Sequence, residues 1–390
     1  MMSKIPLLLS SSLLSLGLTT GIAVAQDSCD LVERAADIVT AVHSTQFKTS
    51  VKCEPASKEK IRLHLEDAVN KIPDTQIRAE EHIYKLLGLI PERYNYKDGA
   101  IALYTSQIAG YYDPQQNFYA MAEWLPEAIQ MPVTVHELTH ALQDQLFDID
   151  NIFDPSLTSD ESLARSALLE GEASAVMSDY ILMMQGKPTL SDGADASAFL
   201  LQNIVGMVMT SFALNSHPTI LISTAMFPYI SGLNFVAFHI KDNGYTTLAD
   251  KFEHLPKYTA EILHPETYGK RRLKELKKIR PKDESCGPTE VHSDRTGEFF
   301  LSAFLGQHIG AENASRISRH WSNDLLQLFQ CENKIKLYWQ IAFDDDNAAA
   351  RFVEAMTDFK THREASSCSH SPSPTCAQQL KQIKISMKGP

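Results

Sequence analysis

The segment Val135-His136-Glu137-Leu138-Thr139-His140-Ala141-Leu142 sets two histidines four residues apart, with a glutamate after the first. On a helix, positions i and i+4 share one face a turn apart. His136 and His140 can therefore present ring nitrogens to a single ion, zinc by the H-E-x-x-H pattern. Glu137 falls about 100° round the helix from His136, beside the ion without ligating it. From there its carboxylate can take a proton from a zinc-bound water and pass it to a leaving amine. Zinc brings the pKa of such a water toward neutrality. Val133, Val135, Leu138, Ala141, Leu142 and Leu146 mark the helix as buried. Two histidines and a carboxylate are costly there unless a metal uses their polarity.

A third ligand follows from helical phase. Leu169-Glu170-Gly171-Glu172-Ala173 lies in a second long helical segment, Ser159 to Met184. Counted at 100° per residue from Leu163, Glu170 falls at about 340° and Glu172 at about 180°. Leu163, Ala167, Met177 and Ile181 cluster near 0°, so Glu170 stands in the apolar face and is the expected ligand. Glu172 shares its side with Glu161, Arg165 and Asp179, which gives it a solvent-facing or supporting role. The expected cofactor is one Zn2+ held by His136, His140 and Glu170.

H-E-L-T-H followed downstream by E-G-x-A resembles the gluzincin metallopeptidases, in which the Glu of E-G-x-A is the third zinc ligand. Val135–Gln145, Ala167–Ala173, Phe227–Val236 and Glu261–Pro265 are similar to a group of secreted prokaryotic peptidase-MA-like proteins. Thr296–Phe299, Trp321 and Asn347–Phe352 add to the likeness. It touches most of residues 105–360 and is strong only around the two zinc helices. The resemblance implies an exported zinc-dependent metallopeptidase, endopeptidase or aminopeptidase-like, acting on a peptide or protein. It also implies a sheet edge near Ile108–Tyr112 that pairs with an extended substrate. A peptidase of this class needs a Tyr or His to donate to the oxyanion. Tyr229 and His264, each in a family-like stretch, are the candidates; a core aromatic and a helix or turn cap are their structural alternatives. Thermolysin-like enzymes carry N-E-x-x-S-D around the ligand, whereas Ser174 stands four residues after Glu170 here. Asp144, one turn after His140, is the substitute for the missing aspartate.

The elements that must position these residues read as α+β, mostly helical: a gluzincin-like catalytic domain with a small sheet and two ligand-bearing helices, then a small C-terminal α+β module. Of 390 residues, 44% are hydrophobic and 22% charged, which excludes bulk disorder. A net charge of -12 argues against nucleic-acid binding. Residues 1–25 read as a signal peptide ending Ala23-Val24-Ala25. The metallopeptidase-like domain is expected over 26–280, the small module over 281–362, and a Ser/Pro-rich tail over 363–390. Residues 27–90 show helical spacing, Gln107–Met121 reads as strand-turn-strand, and Pro132 is expected to open the zinc helix. The basic stretch Lys270–Lys282 is expected to be an amphipathic helix leading into a linker.

Six cysteines, all after residue 25, suit an oxidising compartment, periplasmic or secreted. Sequence order suggests pairing Cys29–Cys53, Cys286–Cys331 and Cys368–Cys376. Residues 196–240 contain no Asp, Glu, Lys or Arg. Interruptions such as Pro218 and Pro228 favour buried core helices over a membrane span. Two further readings use the same features: a non-catalytic zinc-stabilised binding protein, against which the intact Glu137 argues, and a membrane-associated protein using residues 196–240.

Overall fold

The computed structural model describes residues 9–10, 28–203, 216–281, 286–332, 334–368 and 383–388. In chain order its elements are β1 (Leu9–Ser10), α1 (Leu31–His43), β2 (Lys52–Ala56), α2 (Lys58–Asn70), α3 (Asp74–Leu86), α4 (Tyr96–Gln107), β3 (Gly110–Asp113) and β4 (Phe118–Ala122). The long helices α5 (Glu127–Phe147) and α6 (Ser159–Met184) follow, then α7 (Ala196–Asn203), α8 (Thr219–Ile240), α9 (Ala249–Glu253) and α10 (Thr259–Leu263). The C-terminal part holds β5 (Cys286–Asp294), α11 (Gly297–Ile309), α12 (Ala311–Ser318), β6 (Trp321–Cys331), β7 (Lys334–Phe343), α13 (Asp346–Cys368) and β8 (Ile383–Lys388). The fold is α+β and mostly helical, as the sequence implied.

The first sheet has strand order β1-β3-β4-β2, with β3 and β4 an antiparallel hairpin and β2 parallel to β4. Helices alone were expected before residue 90, so β2 is a correction. Its Pro55 breaks the alternating pattern and lacks an N–H, which an edge strand tolerates. The helix that carries H-E-x-x-H begins at Glu127 behind Pro126, so Pro132 lies inside α5 and does not open it. The loss is one backbone hydrogen bond near the N-terminus of a 21-residue helix, and tertiary burial outweighs it. At α6, Thr158 Oγ accepts the Glu161 N–H at 3.3 Å, an N-cap that places the start where the sequence predicted it.

Two hydrophobic clusters hold these elements. One packs α1, α5, α6 and α8 through Val135, Leu138, Leu142, Leu163, Ala167, Leu168, Phe227 and Leu233. Each fully buried leucine contributes about 1.5–3 kcal/mol. The second joins α2, α3 and α4 to the C-terminal sheet, with Tyr84 stacked on Phe300 at 5.8 Å. In that sheet, of order β5-β6-β7-β8, Leu337, Trp339, Ile341 and Phe343 alternate into the cluster.

Two other expectations change. Residues 271–281 form no helix. Their backbone is held extended by side chains of the sheet: Asn323 Nδ2 donates to Lys274 O, Gln340 Nε2 to Lys277 O, and Gln327 Oε1 accepts from Ile279 N. Lys274 in turn donates to Phe343 O. The tail is not all loop, because α13 runs to Cys368 and β8 pairs parallel to β7. Disulfides Cys29–Cys53 and Cys286–Cys331 form as suggested, and Cys376 lies outside the described residues. α8 is long and apolar enough to cross a membrane by length and composition. Even so, 67% of its most apolar window is buried inside the protein.

Candidate metal centre

α5 and α6 meet at three side chains. His136 Nε2 lies 3.2 Å from His140 Nε2 and 3.1 Å from Glu170 Oε2, and His140 Nε2 lies 3.5 Å from that same oxygen. All three are buried, and together they could hold a metal ion. The helical phase of Glu170 was read correctly. Its Oε1 has no hydrogen-bond partner on the protein, nor does His136 Nδ1. Buried polar atoms left so are costly unless a further ligand engages them.

The electrostatics agree with a cation at the centre. Burial disfavours charge on His140, yet the Glu170 carboxylate outweighs it and raises the ring to about 9. For His136 burial wins and the pKa is lowered. Burial pushes Glu170 up, but the histidines outweigh it and hold the carboxyl below its ordinary value. One positive charge is thus drawn into the cluster, as a proton or as a metal that displaces it.

Of the two roles expected of Glu172, the supporting one holds and the solvent-facing one does not: it is fully buried, accepting at Oε2 from Gln143 Nε2 (2.7 Å) with Oε1 2.9 Å from His43 Nε2. The side of α6 that phase arithmetic assigned to water is covered by α1, and Asp179 is buried there too. Asp144 does not serve the histidines. It accepts from the Tyr112 hydroxyl at 2.9 Å and the Ile149 N–H at 3.3 Å. Gln143 takes that role. Its Nε2 donates to Glu172 and to Leu169 O, which leaves Oε1 to accept from His140 Nδ1–H at 2.8 Å. That bond fixes the tautomer with the Nε2 lone pair turned to the cluster. Gln143 sits at i+3 from His140, a spacing from which it could have been found.

Two glycines let α8 back this site. A Cβ on Gly171 would come within 2.4 Å of the Gly232 backbone, and one on Gly232 within 2.1 Å of Ala167 O. Gly171 therefore does not bend α6, which stays continuous; it admits α8 at backbone distance. α8 carries Tyr229, whose ring is buried 6.2 Å from that of His136. Glu137 is fully buried, and its charge adds to burial in raising the Tyr119 hydroxyl. His264 is engaged elsewhere: it ends α10 with Nε2 2.8 Å from Glu298 Oε1, a carboxylate that Arg271 also faces at 3.6 Å. Tyr104 of α4 was not anticipated. Burial raises its hydroxyl pKa and the Glu170 charge adds to that, placing it in the cluster's field. Nothing in its local sequence marks it.

A family described as a domain of unknown function (DUF8575) matches residues 285–382. The match covers β5, β6 and β7 of the C-terminal sheet with α11, α12 and α13, stops before β8, and includes none of the metal-centre side chains. No curated protein and no solved structure matches the chain.

Proposed function

We propose that this protein is an exported, zinc-dependent metallopeptidase in which Glu137 is the general base. The observation that carries the reading is the spacing of the three donors. A tetrahedral zinc with ligands at about 2.0–2.1 Å keeps them about 3.3–3.4 Å apart. The separations here are 3.1, 3.2 and 3.5 Å. His136, His140 and Glu170 would hold the ion; the orphaned Oε1 of Glu170 and the Gln143-fixed tautomer of His140 suit that role. Zinc, when bound, would polarise the scissile carbonyl and bring the pKa of a water toward neutrality.

The chain's own groups do the rest. Glu137, buried one residue from His136, accepts a proton at its carboxylate and returns it to the leaving amine. Tyr229, beside His136, is the oxyanion donor in this reading. His264, committed to Glu298, is not. The edge of β3 orients an extended peptide. Leu9–Ser10 already pair antiparallel with Gly110–Tyr111 there, which supports that use. The leader-like start and two disulfides favour an oxidising, extracytoplasmic location. The test is Glu137→Gln: it is expected to keep one zinc per chain and lose peptide hydrolysis by about a thousandfold or more. Hydrolysis at the wild-type rate would remove Glu137 from the mechanism.

A further inference from the structure

Beyond the metal centre, a cleft of about 700 Å³ lies at the C-terminal end of β3 and the turn after it. α2 and the start of α3 wall one side, and the segment between α5 and α6 walls the other. Asp67, Asp113, Asp150 and Asp154 line it against a single cation, Lys71. His64, also in its wall, adds no charge near neutrality because burial lowers its pKa. Burial raises the Asp150 carboxyl, and the neighbouring charges of Asp113 and Asp148 raise it further. The field is one that a cation would relieve.

One face of α6 carries both a residue of the cleft wall and the Glu170 of the metal centre. Ser162 is 2% exposed and lines the cleft, and among the described residues no side-chain hydrogen bond of its hydroxyl is seen. Ser166, one turn on, is 1% exposed with an unpartnered Oγ, and Glu170 stands one turn further. These positions, four apart, share one helix face. Eight residues of helix set the cleft about 12 Å from the metal ligand, the span of about three to four extended residues. A peptide antiparallel to β3, as Leu9–Ser10 lie, puts its N-terminal residues at this end of the strand.

We propose that this cleft binds a lysine or arginine side chain of the peptide, about three to four residues N-terminal to the bond cut, so that the substrate class is cationic peptides. The inference rests on the peptidase reading. Its test therefore separates binding from hydrolysis. Zinc-loaded Glu137→Gln protein is titrated by fluorescence anisotropy with peptides that differ only in Lys, norleucine or Glu at one position, scanned along the chain. At low ionic strength the Lys peptide is expected to bind about tenfold tighter than the Glu peptide at one N-terminal-side position. Replacing the exposed Asp67, Asp150 and Asp154 together by Asn is expected to reduce that ratio to about twofold, and Lys71→Glu to widen it. Equal binding of the three peptides, or a preference that survives the triple replacement, would overturn the cleft assignment. Absence of hydrolysis by the wild-type chain, with the binding ratio intact, would instead remove the peptidase reading and leave a cationic-peptide site.

Discussion

Glu170 in α6 and Asp324 in β6 are both buried carboxylates, and the structure treats them in opposite ways. Asp324 accepts from the N–H and hydroxyl of Thr296, the N–H of Gly297, and the indoles of Trp321 and Trp339, all at 2.9–3.0 Å. It caps the N-terminus of α11, where the helix dipole favours negative charge. Gly297 permits the cap with φ +82, and a Cβ there would strike Asp160. Among the described residues Glu170 meets two histidine rings and keeps one oxygen unpartnered. Neutral donors on every side make a carboxylate a structural pin. Convergent lone pairs and an orphaned oxygen suit it to hold an ion. Burial alone does not distinguish the two cases; the partners do.

That contrast can be broken in order of expected effect. Glu170→Ala leaves two imidazoles, so zinc affinity is expected to fall by about a thousandfold or more, read by competition with a chromogenic chelator. Asp324→Ala is expected to behave in the reverse way. It should cost about 3–5 kcal/mol in urea unfolding, because two indoles and two backbone N–H groups lose their acceptor, while the folded fraction keeps its zinc. If Asp324→Ala empties the metal site at full stability, the division fails. Gln143→Ala removes the bond that fixes His140 and is expected to weaken zinc by about 10–100-fold without changing its stoichiometry, measured in the same competition.

The smallest effect concerns Asp160, a third buried carboxylate, which binds Thr259 and Arg295. Burial outweighs these partners and raises it to about 7. An unfolded aspartate titrates near about 4, so between roughly pH 4 and 7 the folded chain holds a proton that the unfolded chain has released. Stability therefore falls as pH rises through that window, by at most about 1.4 kcal/mol per unit. Asp160→Asn is expected to flatten the slope in urea midpoints at pH 5, 6 and 7. An unchanged slope would show that Asp160 is ionised throughout.

α5 and α6 were legible because their signal is local. H-E-x-x-H fixes its own geometry, and the Thr158 cap with a long apolar phase fixes α6. The solvent-facing alternative for Glu172 fails because helical phase assumes one wet face, and α6 is packed all round at this point; phase names the neighbour, not the solvent. β2 was hidden because its partner β4 lies more than sixty residues away and Pro55 breaks the alternation. Residues 271–281 carry a helical pattern overridden by Asn323, Gln327 and Gln340, which claim the backbone. Gln143 is the instructive omission. The aspartate expected from the resemblance drew notice to Asp144, while the amide one position earlier faces His140.

Zinc K-edge X-ray absorption on protein dialysed against a weak chelator tests the central claim most directly. One ion per chain is expected, with two imidazole nitrogens and carboxylate oxygen at about 2.0–2.2 Å, and with the imidazole signature lost in Glu170→Ala. A chain that retains no ion, or an ion whose shell contains no imidazole, would contradict it.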